Sequence, residues 1–160
     1  MRAENISDAK QHLNLHTTPA QNIMLVDKKN IGIYTVGKIP KRHINHRTKG
    51  KAPSAGWITE NKWLGYIDYN LNPFTENPAS GSVVNTNNKT TNASYPNHVS
   101  FKWGDSQRIV RAKELLDKQA LHPSNSFQEI QTDTISISAR ILLPLLAKNL
   151  WYSETIELPG

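Results

Sequence analysis

Residues 21–40 read QNIMLVDKKNIGIYTVGKIP, with two β-rich runs at 22–26 and 31–36 separated by Asp27-Lys28-Lys29-Asn30. Branched and aromatic side chains in short runs favour extended backbone, and a polar tetrapeptide between two such runs turns the chain back on itself. An antiparallel hairpin is therefore the fixed point of any fold available to this chain.

The other periodic segments are helical. Residues 5–15 place Ile6, Ala9 and Leu13 at helical spacing behind Asn5 or Ser7 as cap, and Thr17-Thr18-Pro19 ends the run. Asp105 or Ser106 starts a helix over about 107–119, with Ile109, Ala112 and Leu116 on one face. Ser126 with Glu129 matches a capping box, and residues 134–151 form an apolar helix in which Pro144 predicts a kink or break. The stretch NPASGSVVNTNN, 77–88, reads as a turn followed by a short strand at Val83 and Val84. A hairpin, short strands and C-terminal helices make the fold class α+β.

From Arg42 to Ala55 there is charge, His, Gly and Pro without hydrophobic period, which is the pattern of a long exposed loop. This loop holds most of the basic run 38–51 and much of the formal charge of +6. A run of this kind is read first as a solvated loop, and as an anion-binding surface only where aromatics are interleaved. Trp57, Trp63, Tyr66 and Tyr69 follow; packing of the loop onto the body is the first reading, a ligand platform the second.

The 160 residues have one-domain length and read as a single region, 1–160, with 37% hydrophobic residues. The final ELPG closes no element, so the region is expected to continue in a larger protein. Without cysteine there is no disulfide and no thiolate nucleophile or ligand. No run approaches the ~18 apolar residues of a membrane span, and residues 1–4 lack the apolar region of a signal peptide.

His43 and His46 have a spacing that can bring two rings to one ion, but no carboxylate stands near them in sequence, and the structural use is preferred. Gly32, Gly37 and Gly50 fit no phosphate-binding loop. Asn88-Lys89-Thr90 and Asn92-Ala93-Ser94 match glycosylation acceptors, a tripeptide that is common by chance. More specific is Asn87-Asn88 with Trp103-Gly104 and Arg108 downstream. Asparagine pairs usually serve turns. A fixed carboxamide is also an uncharged donor able to stabilise an oxyanion. An arginine in a first helical turn opposes the helix dipole, which suggests that it faces a carboxylate or a substrate.

The order of these pieces is informative. PAQNIMLVDKKNIGIYTVGKIP, AGWITENKWLGY, NPASGSVVNTNN, YPNHVSFKWGDSQRIVRAKELL and QTDTISISARILLPLL resemble successive blocks of the large subunit of the penicillin amidase family, over nearly the whole chain. The resemblance implies a fragment of a four-layer αββα N-terminal-nucleophile hydrolase fold. It also implies a self-cleaved precursor whose new N-terminal serine attacks an amide, with its own α-amino group as base. In that setting Asn87 is the oxyanion donor, Asn88 holds the loop, and Arg108 positions the asparagine and the nucleophile.

The same resemblance implies a small-molecule amide substrate and a periplasmic or extracellular parent protein. The implied partners are the small subunit and the rest of the large one, with no nucleic acid or membrane. The chain offers no candidate for the serine nucleophile and is expected to be inactive alone, with exposed apolar surface that favours self-association. Some family members bind calcium through a carboxylate just after the Tyr-Pro block; Tyr95-Pro96-Asn97-His98-Val99 offers none, so no cofactor is expected on this segment. The alternative from another class is a stand-alone basic module that uses residues 38–51 with Trp57 and Trp63 to bind an anionic ligand such as nucleic acid.

Overall fold

The computed structural model describes residues 3–150, which divide into two compact units, residues 1–104 and 105–160. In the first, helix α1 (Ile6–Leu13) precedes strands β1 (Gln21–Val26) and β2 (Ile31–Val36), an antiparallel hairpin in the register Gln21↔Val36 to Val26↔Ile31. Strand β5 (Phe74–Glu76) pairs antiparallel with the other edge of β2, so β2 is the centre of a three-stranded sheet. Strands β3 (Pro40–Arg42) and β4 (Trp63–Tyr66) form a separate two-stranded sheet.

The central position of β2 explains its composition. Gly32, Ile33, Tyr34 and Val36 are all buried, so both faces of the strand are covered, whereas β1 alternates exposed and half-buried residues. Ile6 from α1 joins Tyr34 and Val36 in the core, with Leu13, Ile23, Leu25 and Tyr69 around them. The Tyr34 ring folds back over Gly32, where a Cβ would stand 2.7 Å from the ring carbon Cε2. Only glycine leaves room for that ring.

Polar side chains tie the elements together. The Asn5 carboxamide caps α1 by accepting from Asp8 N at 2.9 Å. Asp27, in the hairpin turn, accepts from Ile6 N at 3.0 Å and from the N–H groups of Lys29 and Asn30 at 2.8 Å each. Those bonds, that to Ile6 foremost, hold its pKa down to about 2. The buried Asn72 amide donates to the carbonyls of Thr35 and Gly37 at 3.1 and 3.0 Å, fastening the approach to β5 onto the end of β2.

The second unit contains α2 (Ser106–Leu116), α3 (Ser124–Gln131) and α4 (Ile137–Leu150). Arg111 in α2 grips Asp133, after α3, with two parallel bonds, Nε to Oδ1 at 3.0 Å and Nη2 to Oδ2 at 2.6 Å. That pairing drives the Arg111 pKa up and the Asp133 pKa down.

Four expectations need correction. Val83 and Val84 lie in irregular backbone, not in a strand: among the described residues no strand pairs with them. Helix α3 starts at Ser124 behind Pro123, so Ser126 is not a cap; it is buried inside the helix, its hydroxyl donating to His122 Nδ1 at 2.7 Å. The His122 Nε2–H donates to the Leu116 carbonyl at 2.8 Å, which fixes Nδ1 as the acceptor. Helix α4 runs through Pro144 without a break, although proline can give no N–H to the preceding turn. Trp57 does not pack the loop onto the body: it is 85% exposed. The terminal ELPG lies outside the described residues.

Candidate functional site

The segment that carries Asn87 is built from short-range amide chemistry. Asn85 Oδ1 accepts from Asn87 N at 3.0 Å, and Asn88 Oδ1 accepts from Thr86 N at 3.0 Å and from the Thr86 hydroxyl at 3.4 Å. Each is the turn-making bond of an asparagine to backbone two residues away. Between them Asn87 takes a left-handed conformation, φ +66°, which asparagine tolerates better than most residues.

The carbonyl of Asn87 is fixed as well. Gly104 N donates to it at 2.7 Å, and a Cβ at Gly104 would stand 3.1 Å from the carbonyl oxygens of both Thr86 and Asn87. Glycine at 104 therefore permits the close approach of two irregular segments distant in sequence. Trp103 beside it is half-buried and donates from Nε1 to the Ser100 carbonyl at 2.8 Å.

Asn88 thus holds the loop, and Asn85 and Gly104 hold it with equal directness, a role that the sequence reading missed for both. The spacing Asn85-x-Asn87-Asn88 sets a carboxamide two residues from the N–H groups of Thr86 and Asn87, but the bonds themselves emerge only from the backbone geometry. Arg108 lies in the other unit, in the first turn of α2, whose N-cap Asp105 accepts from Gln107 N at 3.1 Å. That carboxylate offsets part of the unfavourable placement of a cation at a helix start.

The histidine pair serves backbone. His46 is buried and its Nδ1 accepts from Lys49 N at 2.9 Å, while His43 Nδ1 accepts from Asn45 N at 3.1 Å. Among the described residues no group of three or more His, Cys, Asp or Glu side chains is arranged to hold a metal ion. The basic run is interleaved with aromatics in space, contrary to its appearance in sequence: Lys38 Nζ lies 5.2 Å from the Tyr66 ring centre and the Arg42 guanidinium 6.0 Å from that of Trp63.

The profile described as Penicillin amidase matches residues 1–158. The chain is 29% identical over 143 residues to the acyl-homoserine lactone acylase QuiP of Pseudomonas syringae pv. tomato (strain ATCC BAA-871 / DC3000), covering 88% of this chain and 17% of that protein. It is 30% identical over 141 residues to QuiP of Pseudomonas fluorescens (strain Pf0-1), with the same coverage. With penicillin G acylase of Escherichia coli it shares 29% over 122 residues, 73% of this chain and 14% of that one.

The chain therefore spans about a sixth of the length of the relatives it matches. Its fold is similar to that of the thermostable penicillin G acylase from Alcaligenes faecalis, with a TM-score of 0.72 at 21% identity over 97% of this chain and 28% of that one. The α+β arrangement described above is thus similar to a segment of that enzyme's fold.

Proposed function

The chain belongs to the penicillin amidase family, and from that premise we propose that it is part of a hydrolase that cleaves a linear amide into an acid and an amine. The substrate class follows the named relatives: an N-acyl-homoserine lactone, or the acyl side chain of a β-lactam such as a penicillin. The nucleophile is a serine outside this chain, exposed at a new N-terminus when the precursor cleaves itself. Its hydroxyl oxygen bonds to the amide carbon while the α-amino group takes the proton. The carbonyl electron pair moves onto oxygen, and its return expels the amine, which leaves with that proton; water then releases the acid by the same route.

Asn87 is the donor to the transient oxyanion in this scheme. A carboxamide already in place stabilises the developing charge without reorganising. The observation that carries the assignment is the fixation of Asn87 at both ends of its own residue, N–H to Asn85 and carbonyl to Gly104. Arg108 is a positioning residue, holding asparagine and nucleophile in register. On this reading the isolated chain is inactive, its partners are the remaining subunit segments, and the parent protein is exported.

The test is Asn87→Ala in the full-length precursor, assayed on a chromogenic phenylacetyl or fatty-acyl anilide with self-cleavage followed on a gel. The expected result is normal cleavage of the precursor and a kcat lower by roughly 10²–10³-fold. Unchanged turnover removes Asn87 from the mechanism, and activity in the isolated chain removes the external nucleophile.

A further inference from the structure

Strand β5 lies against β2 along one edge only. On either side of their register, Thr35 N donates to the Pro73 carbonyl and Asn77 N to the Ile31 carbonyl, each at 2.8 Å. In an antiparallel ladder, bonded pairs alternate with unbonded ones, so Ile33 and Thr75 exchange bonds. The N–H and carbonyl of Phe74 therefore point away from β2, to the outer edge of the sheet. Among the described residues no strand pairs with that edge.

A cavity of about 430 Å³ lies beside it. Its walls are residues 70–75 and the loop residues 90–92 and 95–97; none comes from β1, β2 or α1, so it sits on the outer side of β5. Leu71 and Phe74, each 59% exposed, supply apolar wall together with Pro96, and Thr90 and Thr91 add hydroxyls. The Tyr95 hydroxyl donates to the Leu71 carbonyl at 2.8 Å, which ties the loop to the segment before β5. Burial raises the Tyr95 pKa, so the phenol stays neutral. No charged side chain lines the cavity, and an ionic group entering it would lose hydration without meeting a counter-charge.

An open sheet edge is a template for another strand: main-chain bonds supply the attachment, and a pocket beside the edge selects the side chain. The chain spans about a sixth of the length of the relatives it matches. We propose that the outer edge of β5 pairs with an extended segment of the parent polypeptide from outside residues 1–160. The residue opposite Phe74 accepts from its N–H and donates to its carbonyl, and an uncharged, apolar side chain of that segment enters the cavity between Leu71 and Pro96. The inference rests on the reading of this chain as part of a larger family member, but not on the role given to Asn87.

The experiment is hydrogen–deuterium exchange of the full-length protein, resolved to single amides by electron-transfer fragmentation. Thr75 N–H, bonded to Ile33, is the internal control. Phase one compares amides in the unaltered protein: Phe74 N–H is expected to exchange about 100-fold or more below its intrinsic rate. Leu71→Asp, which places a charge at the cavity, and Thr91→Trp, which fills it, are each expected to speed that exchange about tenfold or more while Thr75 stays protected. Exchange of Phe74 N–H near its intrinsic rate overturns the proposal, as does protection that neither substitution alters. Protection that fades on dilution overturns it too, since the partner is then a second copy. Because the readout is exchange and not turnover, each of these failures leaves the Asn87 assignment standing.

Discussion

Gly104 donates its N–H to the carbonyl of Asn87 at 2.7 Å, joining the loop that carries the candidate oxyanion donor to the residue just before the cap of α2. The bond needs a residue without Cβ at 104, since that atom would press on two carbonyl oxygens at 3.1 Å.

Gly104→Ala is therefore expected to destabilise the fold by about 1 kcal/mol or somewhat more, in the range of mild overpacking. It should also lower kcat more than it alters KM, because the displaced carbonyl belongs to Asn87. Thermal unfolding and steady-state kinetics of the full-length enzyme check both; an unchanged kcat with lowered stability would separate the contact from catalysis.

Asn85→Ala and Asn88→Ala each remove an acceptor for a backbone N–H within the same short turn. Each is expected to cost roughly 1 kcal/mol and to reduce turnover less than Asn87→Ala does. The double substitution should cost less than the sum of the two, since both bonds hold one loop. A double-mutant cycle on unfolding free energy measures the coupling; strict additivity would show that the turn is not one unit.

Asp27 makes the first unit sensitive to acid. Its pKa is lowered from 3.8 to about 2, so the stability it contributes is complete above about pH 4 and is lost as pH falls through about 2. Denaturant unfolding between pH 5 and pH 2 should show a decline that is shallower in Asp27→Asn. Equal slopes for the two proteins would assign the acid sensitivity to other carboxylates.

In the second unit, Asp133→Asn is expected to lower the melting temperature more than Glu114→Gln. Asp133 receives two guanidinium bonds in a pocket where its side chain is 15% exposed, whereas Glu114 meets Arg111 through one bond at 47% exposure. Differential scanning calorimetry of the two variants ranks them; the reverse order would mean that solvent screens both pairs alike.

The isolated chain is expected to self-associate. Val26, Trp57, Leu121 and a run on α4 that includes Ile141, Leu142, Leu145 and Leu146 present large apolar side chains to solvent. Sedimentation velocity over a hundredfold range of concentration tests this, and a constant monomer throughout would contradict it.

Much of the local structure was legible because local chemistry determines it. Asn5 and Asp105 cap the helices that their positions announced, and the two β-rich runs pair through the tetrapeptide between them. What escaped depended on partners far along the chain. Two valines do not make a strand when no described strand pairs with them, and Ser126 matches a capping box until the His122 ring claims its hydroxyl. The stacking of Lys38 on Tyr66 and of Arg42 on Trp63 arises from the pairing of β3 with β4, which no spacing in the basic run foretells. Asn87 and Arg108 stood out through the order of blocks along the chain, whereas Asn85 and Gly104 emerged only once backbone bonds were drawn.

The Asp27 carboxylate also bears on where the chain can be altered. A polar hairpin turn such as Asp27–Asn30 invites a tag or a fluorophore, because exposed turns usually accept insertions. Here the same carboxylate that shapes the turn holds Ile6 N at the start of α1, so an insertion at Lys28 would be felt in the first helix and in the core residue that it delivers. Gly56, whose Cβ position meets nothing within 4 Å, is the better place to attach a probe.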